Sequence, residues 1–421
     1  MMTGLTRRLA GTTGLCLAMA AGPALATEGY FALGFGPVQR AQGGAGVAHL
    51  GGDAMSGTVN PAAVVDVGRA LSMGVEVFSP DRGYTATGTF FVAPGSVRSS
   101  HPTFPVPNFA WNRPLQNGAV LNIAAYGNGG LNTSHEAVPN PNCGGGAGVF
   151  CAGPAGVDLA QLFLSATYAR KSGAVSWGIA PMIAVQSFQA RGLAAFAPIS
   201  VDPTAVSNNG RDLSWGFGLR AGVRVQATEA LSFGLAAQTE MAMSKFDKYA
   251  GLFENGGDFD IPAQITAGLA FKAAPSTTLM LDWQRIFYSG VPAVSNATNA
   301  GPLGAPGGAG FGWDDVDVLK LGVEWVQSDR MTWRAGYAHA TNPIGPEDVT
   351  LGILAPGVVE DHFTLGGSYR PNDRDSIDFS VVYAPNVSVT GAETTPLGPT
   401  PGTVEIDMDQ WAFSLGWTRH F

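Results

Sequence analysis

Thiols, histidines and glycine-rich loops are where this sequence could carry chemistry. Cys143 and Cys151 close one Gly-rich segment, "CGGGAGVFC". In an exported chain two such thiols are expected to pair as a disulfide. A zinc site fits less well, because no His or second Cys pair stands nearby. The six His are scattered, and neither Gly-x-Ser-x-Gly nor His-Glu-x-x-His occurs. A nucleophile with its base, or a zinc hydrolase, therefore has no signature. "GGAGVAHLGG" at 43–52 has the look of a dinucleotide loop. No strand precedes it, and His49 stands where the third small residue should be. The reading is of a chain with no enzyme activity, no cofactor and no metal. A net charge of −9 and the lack of any Lys/Arg cluster argue against nucleic acid.

The elements that would position function begin with an export signal over residues 1–26. Arg7 and Arg8 precede the apolar run Leu9–Ala21, and Ala24-Leu25-Ala26 offers a small-x-small cleavage site, leaving Thr27 as the first mature residue. Cys16 falls in the discarded part. Gly and Pro, 58 and 28 of 421 residues, are well above ordinary usage.

From about Arg69 onward the sequence alternates with period two. In "DQWAFSLGWTRHF", Trp411, Phe413, Leu415, Trp417 and Phe421 share one face, while Ala412, Ser414, Gly416, Thr418 and His420 share the other. Fourteen strands are read, over 69–79, 102–113, 118–127, 159–170, 175–189, 212–227, 230–244, 260–273, 276–288, 315–327, 330–341, 360–371, 375–388 and 405–421. Connections after even-numbered strands are tight. Those after odd-numbered strands are long and rich in Gly, Pro and Asn. A soluble sandwich has no reason to keep its short turns at one end. A transmembrane antiparallel β-barrel has short periplasmic turns and long outer loops. The phases place Leu213, Trp215, Phe217, Leu219, Ile261, Ile265, Leu269, Phe271, Leu319, Leu321, Val323 and Trp325 outward. They place Arg220, Arg224, Gln238, Glu240, Gln264, Asp282, Gln284, Lys320, Glu324, Arg334, His362 and Asp378 inward. A Lys or Arg on the lipid face near the midplane would cost about 2–4 kcal/mol.

Before the strands lies "GYFALGFGPVQRAQGGAGVAHLGGDAMSGTVNPAAV", with Gly-Ala-Gly-Val-Ala at Gly44–Ala48 and Asn-Pro-Ala at Asn60, Pro61 and Ala62. With this stretch between an export signal and fourteen strands, the chain resembles the FadL-type outer-membrane transporters of long-chain fatty acids and other hydrophobic compounds. The resemblance implies an N-terminal plug (hatch) over residues 27–66 inside a barrel over 67–421. An ordinary surface turn is the other reading of Asn60-Pro61-Ala62. The resemblance also implies passive uptake: capture at the outer loops, transfer to a lumen site near Tyr30 and Phe31, and sideways exit through a gap in the third strand. Gly127, Gly129 and Gly130 could interrupt pairing there, or could simply begin the outer loop.

Apolar stretches at Phe90–Pro94, Gly192–Ile199, Gly251–Phe253 and Leu351–Val359 supply loop surface for capture or for a lid. A carboxylate ligand would draw on Arg220, Arg224, Lys320 or Arg334. A neutral aromatic or aliphatic hydrocarbon would need no lumen cation. A solute-specific porin or a structural surface protein is a further alternative. The partners expected are hydrophobic small molecules, outer-membrane lipid of a diderm bacterium, and barrel-assembly machinery reading the last strand through Phe421. Arg419 occupies a normally apolar position in that signal. A monomer is expected.

Overall fold

The computed structural model describes residues 28–100, 103–395 and 398–421, so the expected export signal and cleavage site lie outside the described residues. Fourteen long strands form one antiparallel sheet: β1 (Ala70–Thr87), β2 (Phe104–Pro114), β3 (Ala119–Asn132), β4 (Gly156–Ser172), β5 (Val175–Arg191), β6 (Asp212–Gln226), β7 (Leu231–Gln238), β8 (Gln264–Ala274), β9 (Thr277–Ile286), β10 (Val316–Ser328), β11 (Met331–Ala340), β12 (Asp361–Tyr369), β13 (Asp375–Thr395) and β14 (Gly398–His420). Neighbours in sequence pair, and β14 returns to pair with β1 from Ala70↔His420 to Thr87↔Thr403, closing the barrel. Closure leaves no sheet edge exposed to hydrocarbon. No helix among the described residues is long and apolar enough to cross a membrane.

The alternation decides which way each strand faces. Trp215, Phe217, Leu319, Leu321, Trp411, Phe413 and Leu415 are all exposed. So large an apolar surface marks contact with lipid in place of water. On β14 the outward face changes from Thr403, Glu405, Asp407 and Asp409 to Trp411, which sets the outer rim of the apolar belt. The long connections and the upper halves of β1, β13 and β14 rise beyond that rim.

Three local departures from the alternation matter. The expected loop between strands 13 and 14 is instead a projecting hairpin, with Thr395 paired to Gly398. Its inward Val404, Ile406 and Met408 are buried against the outer loops, so the alternation continues above the membrane for a different reason. Similarly, β1 runs to Thr87 and pairs there with a short strand, Gly95–Arg98. On the opposite wall, β7 stops at Gln238 and Ala242–Met243 pairs back to β6. β8 correspondingly starts at Gln264. Glu240 is therefore exposed and Ile261 buried, the reverse of their expected facing. Period two yields two faces but does not say which one meets lipid, and here the chain turns in to bury Met241, Phe246 and Ile261.

Candidate functional site: an outer pocket, a lumen segment and a break in the wall

The outer loops converge on an apolar pocket of about 490 Å³. Leu193 and Phe196, Leu252 and Phe253, and Leu351 and Leu354 come from the stretches expected to offer loop surface. Val157, Phe188, Leu303 and Phe311 also line it and were not singled out by the sequence. None of the lining side chains is charged. Size and lining suit a small hydrophobic molecule.

From the pocket, rings lead inward. Phe253 lies 4.8 Å from Phe259, and Phe259 6.2 Å from Tyr30, by ring centroids. Tyr30 also meets Phe31 at 5.4 Å, Tyr288 at 5.2 Å and Trp313 at 6.0 Å. The Tyr288 hydroxyl donates to the Glu28 carbonyl (2.7 Å) and accepts from the Tyr30 amide (3.0 Å). Tyr30 and Phe31 thus sit together, buried, at the inner end of this relay.

Residues 28–66 touch strands round the whole circumference, so the segment lies within the barrel. Asp282 on β9 accepts from the amides of Gly46 (2.7 Å) and Val47 (2.8 Å). Arg224 on β6 donates to the Ala48 carbonyl (2.6 Å), and Arg220 donates to the Thr58 carbonyl. Asn122 on β3 donates to the Ala54 carbonyl (2.9 Å), Asn112 on β2 to that of Val64 (3.2 Å), and Thr364 on β12 to that of Ala41 (3.0 Å). Asn60 caps a short 3₁₀ turn, Pro61–Asp66, accepting from the Ala62 amide (2.9 Å) and donating to the Val47 carbonyl (2.6 Å). Pro at the first turn position has no N–H to leave unpaired. Gly222 on β6 permits the close approach: a Cβ there would stand 2.0 Å from Asn60 Oδ1.

Each of the four lumen cations singled out in the sequence faces inward and is engaged. Lys320 pairs with Glu28 (2.7 Å), and Arg334 with Glu324 (2.8 Å). Besides their bonds to the segment, Arg220 donates to Gln238 (2.5 Å) and Arg224 to Gln226. A fifth cation, Arg40 of the segment itself, is paired with Glu76 on β1. Sequence alone could not find these partners, since many are carbonyls of an irregular chain.

The wall is interrupted between β2 and β3. Their pairing ends at Asn108↔Tyr126, although β2 begins at Phe104 and β3 runs on to Asn132. Gly127, Gly129 and Gly130 therefore lie within the strand, and the β3–β4 register shifts between Gly127 and Gly129. Beyond the shift the free edge of β3 is taken by the N-terminal segment: Ala32 donates to the Asn128 carbonyl (3.0 Å), and Gly130 to the Tyr30 carbonyl (3.1 Å). Glycine is required at 129, where a Cβ would lie 1.8 Å from the Tyr30 oxygen. On the other side of the break β2 carries Pro105 and Pro107, which have no N–H for a ladder. These prolines were the signal that sequence reading passed over. A depression of about 280 Å³, lined by Phe104, Pro105, Asn132, Asp158, Arg191 and Arg211 among others, marks the outside of the break. Val157 lines both this depression and the outer pocket. Arg82 of β1 reaches across the break to the Asn132 carbonyl (2.6 Å) and its side-chain oxygen (2.9 Å).

Cys143 and Cys151 are joined in the loop over 133–155. That loop carries Phe150, 5.2 Å from the pocket residue Phe196.

No protein-family model matches the sequence, and no curated protein matches it. Solved structures match the fold over nearly the whole chain. The toluene transporter TodX of Pseudomonas putida superposes with a TM-score of 0.67 at 15% identity, covering 92% of this chain and 99% of that one. A Pseudomonas aeruginosa FadL homologue gives 0.68 at 17%, covering 93% and 100%. The Ralstonia pickettii toluene transporter TbuX gives 0.63 at 20%, covering 92% and 99%. The chain thus has the barrel fold of FadL-type transporters.

Proposed function

We propose that this protein is an outer-membrane channel for passive uptake of small hydrophobic compounds, with neutral hydrocarbons favoured over fatty acids. One observation carries the reading: an uncharged outer pocket is joined by the rings of Phe253, Phe259 and Tyr30 to the β3 edge where the wall is broken. Ligand is captured in the pocket, passes along the relay, and leaves sideways between β2 and β3 into the bilayer. Displacing Tyr30–Ala32 from the β3 edge opens that way out. The lower part of the segment, with Asn60-Pro61-Ala62 at its turn, acts as the plug against water and ions. The fold shared with two toluene transporters and a FadL homologue supports the assignment.

A carboxylate ligand would need a lumen cation to give up its present partner: for Lys320 or Arg334 that breaks a buried ion pair, at about 3–5 kcal/mol, and for Arg220 or Arg224 it breaks bonds that hold the segment. A neutral ligand needs no such exchange. Export through a cleaved signal ending at Ala26, recognition of β14 with Phe421 by assembly machinery, and a monomeric state complete the proposal.

Uptake of toluene and of a long-chain fatty acid, measured in cells with and without the gene, tests it. Gene-dependent toluene uptake exceeding fatty-acid uptake is expected. Gene-dependent uptake of the fatty acid alone would overturn the neutral-ligand reading, and uptake of neither would overturn the transporter.

A further inference from the structure

Behind the aromatic wall of the outer pocket sits a buried carboxylate that the proposed route does not use. Glu393, near the tip of the β13–β14 hairpin, is fully buried. Its two oxygens accept from three consecutive amides, those of Phe90 (2.8 Å), Phe91 (2.9 Å) and Val92 (2.7 Å), and from the Thr400 hydroxyl (2.7 Å). Consecutive amides turned onto one acceptor form an anion-binding concavity. Here the anion is supplied from about three hundred residues further along the chain.

The stretch so held carries Phe91. Its ring lies 5.4 Å from Phe196, which lines the pocket, and 5.6 Å from Phe150 of the disulfide-closed loop. The far side of the same stretch is tied to that loop. Asn140 donates to the Phe91 carbonyl (3.0 Å), Asn142 to that of Thr89 (2.9 Å), and Ala93 to that of Val149 (3.0 Å). Thr394 and Thr395, beside Glu393, line the pocket directly. The hairpin therefore touches the pocket at two places: through its own threonines, and through Glu393, the 90–92 amides and Phe91.

We propose that Glu393 is the positioning residue of the outer pocket: its carboxylate fixes Phe91 against Phe196 and Phe150, and so sets the affinity of ligand capture. The inference rests on the reading of this pocket as the capture site. It explains why the hairpin projects so far above the lipid belt, and why an acidic residue is buried in an otherwise apolar outer core. Glu393 touches no ligand. Its effect falls on capture, and the later steps along the ring relay and through the wall are independent of it.

Binding of the neutral fluorophore N-phenyl-1-naphthylamine to the full mature chain in detergent tests the proposal. The variants are Glu393→Ala, Phe91→Ala and the pair together. Hydrogen bonds to a charged acceptor are strong enough that Glu393→Ala should weaken binding about tenfold. Phe91→Ala should weaken it similarly, and the double variant should be little worse than either, since both act on one element. The uptake rate at saturating ligand should stay at the parent value. Unchanged affinity in Glu393→Ala overturns the proposal, and so do losses that add in the double variant. Should Glu393→Ala fail to assemble, judged by gel mobility before and after boiling, Glu393→Gln keeps the shape and removes the charge. It should then show the same weaker binding, and parent-like binding overturns the proposal. A parent that binds no fluorophore overturns the capture-site reading itself, and this inference with it.

Discussion

Residues 28–35 and 45–66 both lie inside the barrel, yet they are held by different chemistry. The lower stretch is pinned by charged and amide side chains from β2, β3, β6 and β9, with Asp282, Arg224, Arg220, Asn122 and Asn112 all bonding to its backbone. The upper stretch is held by Lys320, which pairs with Glu28 and donates to the Leu33 carbonyl (3.4 Å), by the Tyr288 hydroxyl, by backbone bonds to the broken edge of β3, and by a cluster of aromatic contacts. Charge-assisted bonds are directional and costly to break, whereas ring contacts can be replaced by the rings or chains of a hydrophobic ligand. On the proposed function, the barrier lies where polar anchors encircle the chain, and the ligand-responsive gate where apolar packing meets the β3 edge that β2 leaves and the segment occupies.

Abolishing both regions should have the largest effect. Deleting Glu28–Pro61 should leave a heat-modifiable barrel, because the β1–β14 ladder is independent of the segment. Planar-bilayer recordings should then change from closed to a steady ohmic pore. A variant that assembles but conducts no more than the parent would remove the barrier role.

Asp282→Asn separates the regions. It converts charge-assisted bonds to the Gly46 and Val47 amides into weaker ones, loosening the lower stretch by about 2 kcal/mol. Ion leakage through bilayers should appear while fluorophore binding at the outer pocket stays unchanged. Tyr30→Ala is the converse. Aromatic contacts of this kind contribute about 0.5–1.5 kcal/mol each, so hydrophobic uptake should fall severalfold without ion leakage.

The smallest expected effect concerns the outer loop that begins beyond β3. His135 is buried there, its Nε2 lying 3.2 Å from the Ile353 carbonyl, and burial pushes its pKa down to about 4. A histidine held neutral contributes stability above its unfolded value of about 6.5. That contribution is lost as pH falls from there toward 4. Corrected for the slower intrinsic exchange at low pH, protection of the backbone bonds between His135 and Ala155 should fall at pH 5 relative to pH 7, while protection at Gly46 and Val47 should not fall comparably.

How much of this was legible in the sequence differs between the same two regions. The wall was, since Trp411, Phe413 and Leu415 alternate against small residues and the tight turns fall at one end. The Asn60–Pro61 turn was visible too, since its hydrogen bond is local. Of the anchors of the lower stretch, Asp282, Arg224 and Arg220 are legible only as inward-facing charges, and Asn112 and Asn122 not at all; their partners are backbone atoms far away in the chain, which no spacing encodes. Glu393 was not singled out for the same reason. The β13–β14 hairpin looks like a loop in the sequence, since Pro399 and Pro401 and the adjacent glycines suggest one, and its strand pairing is supported by packing on other loops that no local pattern reveals. The break in the wall had two signals, the β3 glycines and Pro105 with Pro107 on β2.

Amide hydrogen exchange along residues 28–66 of the purified protein, with and without saturating toluene, distinguishes a fixed lower stretch from a movable upper one. Ligand should change protection at Tyr30 and Ala32, whose amides bond to the Tyr288 hydroxyl and the β3 edge, and leave Gly46 and Val47 as protected as before. Faster exchange at Gly46 and Val47 on adding toluene, or no change at Tyr30 and Ala32, would contradict it.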